Sequence, residues 1–186
     1  MRSPRFSVAS LVVGVCLLTA CPQWSAKAQS RTLVGDCNQL AEVVNQNQGI
    51  ISDFNNGISE FTQSAAQAET LSDIKSAAEQ YVELVGTVIS DLENLIGDLE
   101  ALSLSDDQLS SYQNEYAGVI AGFNEALTLA AAAMNGVAEV ETEEALPGEV
   151  EVMQSKTAQA VEQIQELSIQ ESDIIGGVNE HCRGGA

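Results

Sequence analysis

The chain of 186 residues is strongly acidic, with 27 aspartates and glutamates against seven lysines and arginines. Every acidic residue lies from Asp36 onward, and between Asp36 and Cys182 two basic residues, Lys75 and Lys156, against 27 acidic ones leave a net charge of −25. So negative a surface repels phosphate groups, which excludes nucleic acid and anionic lipid headgroups as partners, whereas cations and basic proteins remain compatible.

The first residues have the layout of an export signal. Arg2 and Arg5 precede an apolar run from Ser7 to Ala20, and small residues follow this run. The run holds 14 residues, whereas a membrane-spanning helix needs about 20. We therefore expect a cleaved signal peptide, which predicts an exported protein that works in the periplasm or outside the cell.

One cleavage pattern lies well after the apolar run. Ala26-Lys27-Ala28 has the small-x-small arrangement that ordinary signal peptidase recognises. Cleavage there would remove residues 1–28 as the signal peptide. The mature chain would then begin at Gln29 and carry no membrane attachment.

A second pattern lies at the end of the apolar run. Leu18-Thr19-Ala20-Cys21 resembles the lipobox of bacterial lipoproteins. The resemblance implies that residues 1–20 are removed and that Cys21 becomes a lipidated N-terminus. Residues 21–35 would then form a tether, and the lipid on Cys21 would be the only attachment to a membrane.

The body of the chain, residues 36–182, has the periodicity of α-helices. Its apolar residues recur at alternating spacings of three and four, and no stretch sustains the period-two alternation of strands. The pattern divides into four long helices. A short disordered tail is predicted over residues 183–186.

The first predicted helix covers about residues 37–68. Asn47 interrupts its seam, the line of apolar residues that faces the other helices, which otherwise consists of Leu40, Val44, Ile51, Phe54, Ile58, Phe61, Ala65 and Ala68. A polar seam residue often fixes the register of neighbouring helices at some cost in stability. The alternative interpretation is an asparagine that contacts water where the seam frays.

A tight turn separates the second and third predicted helices. The second helix opens at Thr70 with Asp73 three residues on, which is typical of a capping box. Ser105 and Gln108 repeat this spacing, so they predict the start of the third helix, which covers about residues 106–138.

Four glutamates lie in the connection between the third and fourth helices: Glu139, Glu141, Glu143 and Glu144. Calcium prefers clustered oxygen ligands, so these residues are the candidates for a weak divalent-cation site. A solvated acidic loop is the alternative. Pro147 either ends this connection or lies in the first turn of the fourth helix, which runs to about residue 180.

The predicted architecture is an all-α, antiparallel up-down-up-down four-helix bundle. Short connections make consecutive helices antiparallel, so the start of the first helix and the end of the fourth lie together. Cys37 and Cys182 fall at that shared end, and in an exported protein they predict a disulfide. The alternative is a pair of free thiols that forms a metal or redox site with His181.

The body carries none of the motifs of common enzymes. Its single histidine, His181, lies near the chain end, and no nucleophile-elbow, zinc, phosphate-loop or haem-attachment motif occurs. We therefore predict no catalytic residue and no cofactor. Glu171, the acid nearest the seam of the fourth helix, is interpreted as facing water, and Tyr112 and Tyr116 as core residues rather than the border of a ligand pocket.

These observations lead to three hypotheses for the function. The leading one is a non-enzymatic, exported interaction or scaffold module that binds an unidentified protein partner. The alternative is a protein that binds a small molecule or a divalent cation, either inside the bundle or at the acidic connection. The third is a carboxylate-dependent enzyme.

Overall fold

The computed structural model describes the backbone of residues 23–184 and the side chains of residues 32–184. This part of the chain forms four α-helices: α1 (Gln23–Ala66), α2 (Leu71–Ala101), α3 (Asp107–Ala138) and α4 (Leu146–Gly184). Consecutive helices pack against one another, which confirms the predicted all-α four-helix bundle. Helical periodicity in the sequence was therefore a sufficient guide to the fold class.

The predicted export signal lies almost wholly outside this description. Cys21 and the lipobox-like segment that ends at it are not among the described residues. The small-x-small pattern at residues 26–28 falls in the first turns of α1, for which the backbone alone is described. Both cleavage routes, and the lipid on Cys21, stay predictions.

The core is centred on α3. This helix buries 12 residues and packs along its length against both α2 and α4. Among the described residues, α3 is also the helix that is long and apolar enough to cross a membrane, with a mean hydropathy of 1.4 in its most apolar window. The most deeply buried large side chains of the bundle are Leu40, Val85, Leu95, Leu99, Leu109, Tyr116 and Ile120.

The edge between α1 and α4 is the loosest in the bundle. α1 packs mainly on α2 and touches α4 sparsely. On α4 only Ala160 and Ile174 are buried. The bundle is consequently well packed between α1 and α2, between α2 and α3, and between α3 and α4, and it is open between α1 and α4.

The helix starts differ from the sequence prediction in one informative place. The capping box at Thr70 and Asp73 forms as predicted. At α3, however, the N-cap is Asp106, whose Oδ1 accepts a hydrogen bond from the backbone N–H of Leu109 at 2.9 Å. Oδ2 of Asp36 accepts a hydrogen bond from the backbone N–H of Ser105, at 2.8 Å, so this N–H is engaged by α1 rather than by Gln108 as the predicted capping box requires.

The outer helices are longer than the apolar periodicity predicted. α1 begins at Gln23 rather than near residue 37, and α4 runs to Gly184 rather than ending near residue 180. Pro147 lies in the first turn of α4, where its missing N–H is tolerated. Polar helix formers extend a helix without adding to a seam, so the seam marked the packed part of each helix rather than its full length.

Three glycines lie at close approaches between α3 and α4: Gly122, Gly136 and Gly177. A Cβ at Gly122 would lie 2.7 Å from Cδ2 of Leu167, and a Cβ at Gly177 would lie 2.6 Å from the hydroxyl of Tyr112. Gly118, by contrast, faces open space. Gly122 and Gly118 lie one turn apart on α3, and of these two it is Gly122 that permits close packing.

Cys37 on α1 and Cys182 on α4 form a disulfide, with their Cα atoms 6.1 Å apart. The bond lies at the end of the bundle where α1 runs beside the C-terminal end of α4. It joins the two helices whose side-by-side packing is weakest.

Candidate functional site

The open edge of the bundle contains an apolar groove, which we call the α1–α4 groove. It has a volume of about 250 Å³. Its floor comes from α2 and α3, and its walls come from α1 and α4. The lining residues are Asn47, Ile50, Ile51, Phe54, Val88, Leu92, Phe123, Leu127, Ile164, Ser168 and Glu171.

A polar triad forms one end of this groove. Asn47 Nδ2 donates hydrogen bonds to Glu171 Oε1 at 2.9 Å and to the hydroxyl of Tyr116 at 3.2 Å. The Tyr116 hydroxyl in turn donates to the same Oε1 at 3.1 Å. Because an amide nitrogen has two hydrogens and a hydroxyl has one, all three contacts can form together. The triad ties α1, α3 and α4 to one another.

Burial determines the protonation state of the Tyr116 hydroxyl at the centre of the triad. Asn47 is 5% exposed and Tyr116 is 1% exposed, whereas Glu171 is partly exposed toward the groove. Burial, followed by the negative charge of Glu171 and the hydrogen bond to it, raises the pKa of Tyr116 far above its usual range, and the hydrogen bond from Asn47 opposes this shift. The phenol therefore stays a hydrogen-bond donor at physiological pH.

The triad decides between the two interpretations of Asn47 and corrects the interpretation of Glu171. Asn47 is buried and hydrogen-bonded, so it does not contact water at a frayed seam. Glu171 lines the groove, and its Oε1 is hydrogen-bonded inside the bundle, so the side chain does not lie wholly in bulk water as expected. Tyr116 is a core residue as expected, but its hydroxyl joins a polar network that the sequence analysis missed. The available signal was that a buried tyrosine needs a hydrogen-bond partner.

A second polar cluster closes the end of the bundle near the disulfide. Oδ2 of Asp36 accepts from the backbone N–H groups of Ser105 and Asp106, at 2.8 and 3.0 Å. Nε2 of His181 lies 3.0 Å from Asp106 Oδ1. The backbone N–H of Leu109 lowers the pKa of Asp106, and His181 lowers it further against the effect of partial burial. This cluster fastens α1 and α4 to the start of α3.

The arrangement at this end differs from the alternative metal or redox site. Cys37 and Cys182 are bonded to each other, and His181 contacts Asp106 instead of a thiol. Across residues 32–184, histidine, cysteine, aspartate and glutamate side chains form no group of three or more that could hold a metal ion.

The four candidate glutamates of the α3–α4 connection do not converge. Glu139, Glu141, Glu143 and Glu144 are all exposed. Oε1 of Glu139 accepts a hydrogen bond from the side chain of Asn135, one turn earlier, at 2.8 Å. The arrangement is that of a solvated acidic segment, which was the alternative interpretation of this sequence.

A smaller pocket of about 130 Å³ lies between the triad and the disulfide. Tyr112 and Tyr116 border it, together with Val44, Ile175 and Val178. The two tyrosines thus line a pocket even though they also belong to the packed interior. The α1–α4 groove is the larger of these two spaces, and its lining includes a carboxylate, that of Glu171.

Comparisons with known protein families, curated proteins and solved structures found no similar protein. The chain matches no protein-family model, no curated protein and no solved structure at a significant level. The function must therefore be inferred from the geometry of the chain.

Proposed function

We propose that the chain is an exported, non-enzymatic binding module and that the α1–α4 groove holds a small ligand with an apolar body. The observation that carries this proposal is the groove itself, an apolar space of about 250 Å³ at the one loosely packed edge of the bundle. Concave, mostly apolar sites with a few placed polar groups are typical ligand sites.

The volume sets the size of the ligand. A dry apolar cavity of about 150 Å³ accommodates benzene. By proportion, the α1–α4 groove accommodates a ligand of about ten non-hydrogen atoms, which corresponds to a naphthalene-sized ring system or a short branched chain. The position of the groove also supports the proposal, because an edge with little packing can adjust to a ligand at small energetic cost.

The side chains in the groove favour binding over chemistry. Ser168 donates its hydroxyl proton to the backbone carbonyl of Ile164, at 2.8 Å, so this proton is directed to its own helix rather than to a base. The hydroxyl of Tyr116 is held as a donor to Glu171. Although Tyr116 thus has a carboxylate within hydrogen-bond reach, it is buried and does not line the groove, so its hydroxyl is not placed to attack a ligand there.

The hypothesis of a protein-binding scaffold stays a prediction. Large apolar side chains are exposed on α4 at Val152, Val161 and Ile169. At about 100° per residue, Val152 and Val161 lie on opposite sides of the helix, so the three do not form one continuous stripe. The groove is therefore the better supported site.

The test uses a neutral probe that fits the groove, 1-naphthalenemethanol. We expect saturable binding to the purified protein by isothermal titration calorimetry. Ser168→Trp places a large ring at the groove and should abolish binding, whereas Ser155→Trp, at an exposed serine of the same helix away from the groove, should not. Absence of binding to the native protein, or equal binding by both variants, would refute the proposal.

A further inference from the structure

The α1–α4 groove ends at a carboxylate that is held in place from one side only. Both hydrogen bonds that the described residues make to Glu171 go to Oε1. Oε2 receives none of them. Every buried polar side-chain atom in the described structure has a hydrogen-bond partner, so Oε2, which has none, is accessible to solvent. A rigidly placed acceptor is thus available where the apolar lining of the groove meets the triad.

No basic side chain of residues 32–184 forms an ion pair with Glu171. The donors to it, Asn47 and Tyr116, are both neutral. Among the side chains of residues 32–184, the only contact between acidic and basic groups within 4.0 Å is that of His181 with Asp106. A partly buried carboxylate is unfavourable unless it is paired, and two neutral hydrogen bonds orient it without neutralising it.

From this geometry we infer that the groove selects ligands in which an apolar body of about ten non-hydrogen atoms carries a protonated amine. This inference rests on the proposed function of the groove. The ammonium group would donate to Oε2 of Glu171 while the apolar body lies against Ile50, Phe54, Leu127 and Ile164. A charged hydrogen bond of this kind is stronger than a neutral one.

The triad accounts for the selectivity on the protein side. Asn47 and Tyr116 hold Oε1, so the carboxylate does not need to reorganise when the ammonium arrives. A neutral ligand of the same shape would at best donate a hydrogen bond to Oε2 and would leave the charge of the carboxylate without a partner. An anionic ligand would meet both Glu171 and the strongly negative surface of the domain.

The test compares three probes of nearly identical shape: 1-naphthalenemethylamine, 1-naphthalenemethanol and 1-naphthoic acid. Both probes can donate a hydrogen bond to Oε2, but only the amine also brings a positive charge to the carboxylate, so we expect it to bind about tenfold more tightly than the alcohol. The acid should bind more weakly than either. Calorimetry at about 0.15 M salt screens the general attraction of the amine to the acidic surface.

Two variants with the same change in charge separate the local effect from the general one. Glu171→Gln keeps the size of the side chain and an oxygen for both donors, and it should remove the preference for the amine over the alcohol. Glu166→Gln changes an exposed glutamate of the same helix that does not line the groove, and it should retain that preference.

The outcomes distinguish this inference from the proposed function. If amine and alcohol bind equally well, or if Glu166→Gln reduces the preference as much as Glu171→Gln does, the inference is wrong and the groove remains a site for neutral ligands. The triad would then serve only to fix the register of the helices. If none of the three probes binds, both proposals fail.

Discussion

Removal of the disulfide between Cys37 and Cys182 is expected to lower the stability of the bundle by a large amount without reducing its helix content at room temperature. The bond connects residues 145 positions apart in the sequence and joins α1 to α4, the pair that packs most weakly side by side. Reduction leaves the contacts of Asp36 with the start of α3 in place, so the folded arrangement should persist.

The magnitude follows from the length of the loop that the bond closes. In the chain-entropy account, a loop of 145 residues corresponds to about 5 kcal/mol at 25 °C. For a domain of this size, each kcal/mol changes the melting temperature by about 2 to 4 °C. Loss of the bond should therefore lower the melting temperature by about 10 to 20 °C.

The assay is thermal unfolding followed by circular dichroism at 222 nm. It compares the oxidised protein, the reduced protein, the single variant Cys37→Ser and the double variant that also carries Cys182→Ser. Each of the last three lacks the same bond, so all three should melt at similar temperatures. Their spectra at 25 °C should match that of the oxidised protein.

Two results would refute this reasoning. Peptide mapping of the unreduced protein that found free thiols at both Cys37 and Cys182 would show that the bond does not form. A fall in melting temperature of less than about 3 °C would show that the bond constrains the unfolded chain far less than its loop length implies.

Three further predictions concern individual side chains. Gly176 faces open space, so Gly176→Ala should stabilise α4 by up to about 1 kcal/mol. Gly177→Ala would press a Cβ against Tyr112 and should be neutral or destabilising by about 1 to 2 kcal/mol. Urea unfolding of the two variants compares their free energies of unfolding. Asp36→Ala leaves two backbone N–H groups before α3 without their acceptor and should cost about 1 to 2 kcal/mol in the same measurement. Because burial and a neighbouring carboxylate raise the pKa of Tyr116, the unfolded chain releases that proton first. Stability measured against pH should therefore decline above about pH 10, and Tyr116→Phe should flatten this decline.

Much of the fold could be predicted from local patterns. The spacing of apolar residues predicted four helices, and the pair Thr70 and Asp73 predicted the start of α2. The disulfide followed from topology, because an antiparallel bundle of four helices brings Cys37 and Cys182 to one end. Each of these inferences depends on residues within one helix or on the order of the helices along the chain.

The candidate site could not be predicted in the same way. Asn47, Tyr116 and Glu171 are separated by 69 and 55 residues, and each could be seen only as an isolated polar or aromatic position on its own helix. Their convergence depends on the rotation and the axial shift of three helices relative to one another. Those quantities are set by side-chain packing between helices, which no periodicity within one helix specifies.

The sequence therefore determined the class of the fold, because helix formation and the position of an apolar seam are properties of short stretches of chain. It also determined the acidity of the domain and the order of its helices. Tertiary packing decided the start of α3, where Asp36 from a distant helix takes the N–H of Ser105, and it decided which edge stays open. The groove and the carboxylate of Glu171 within it exist only because α1 and α4 separate along that edge, and that separation results from contacts among all four helices.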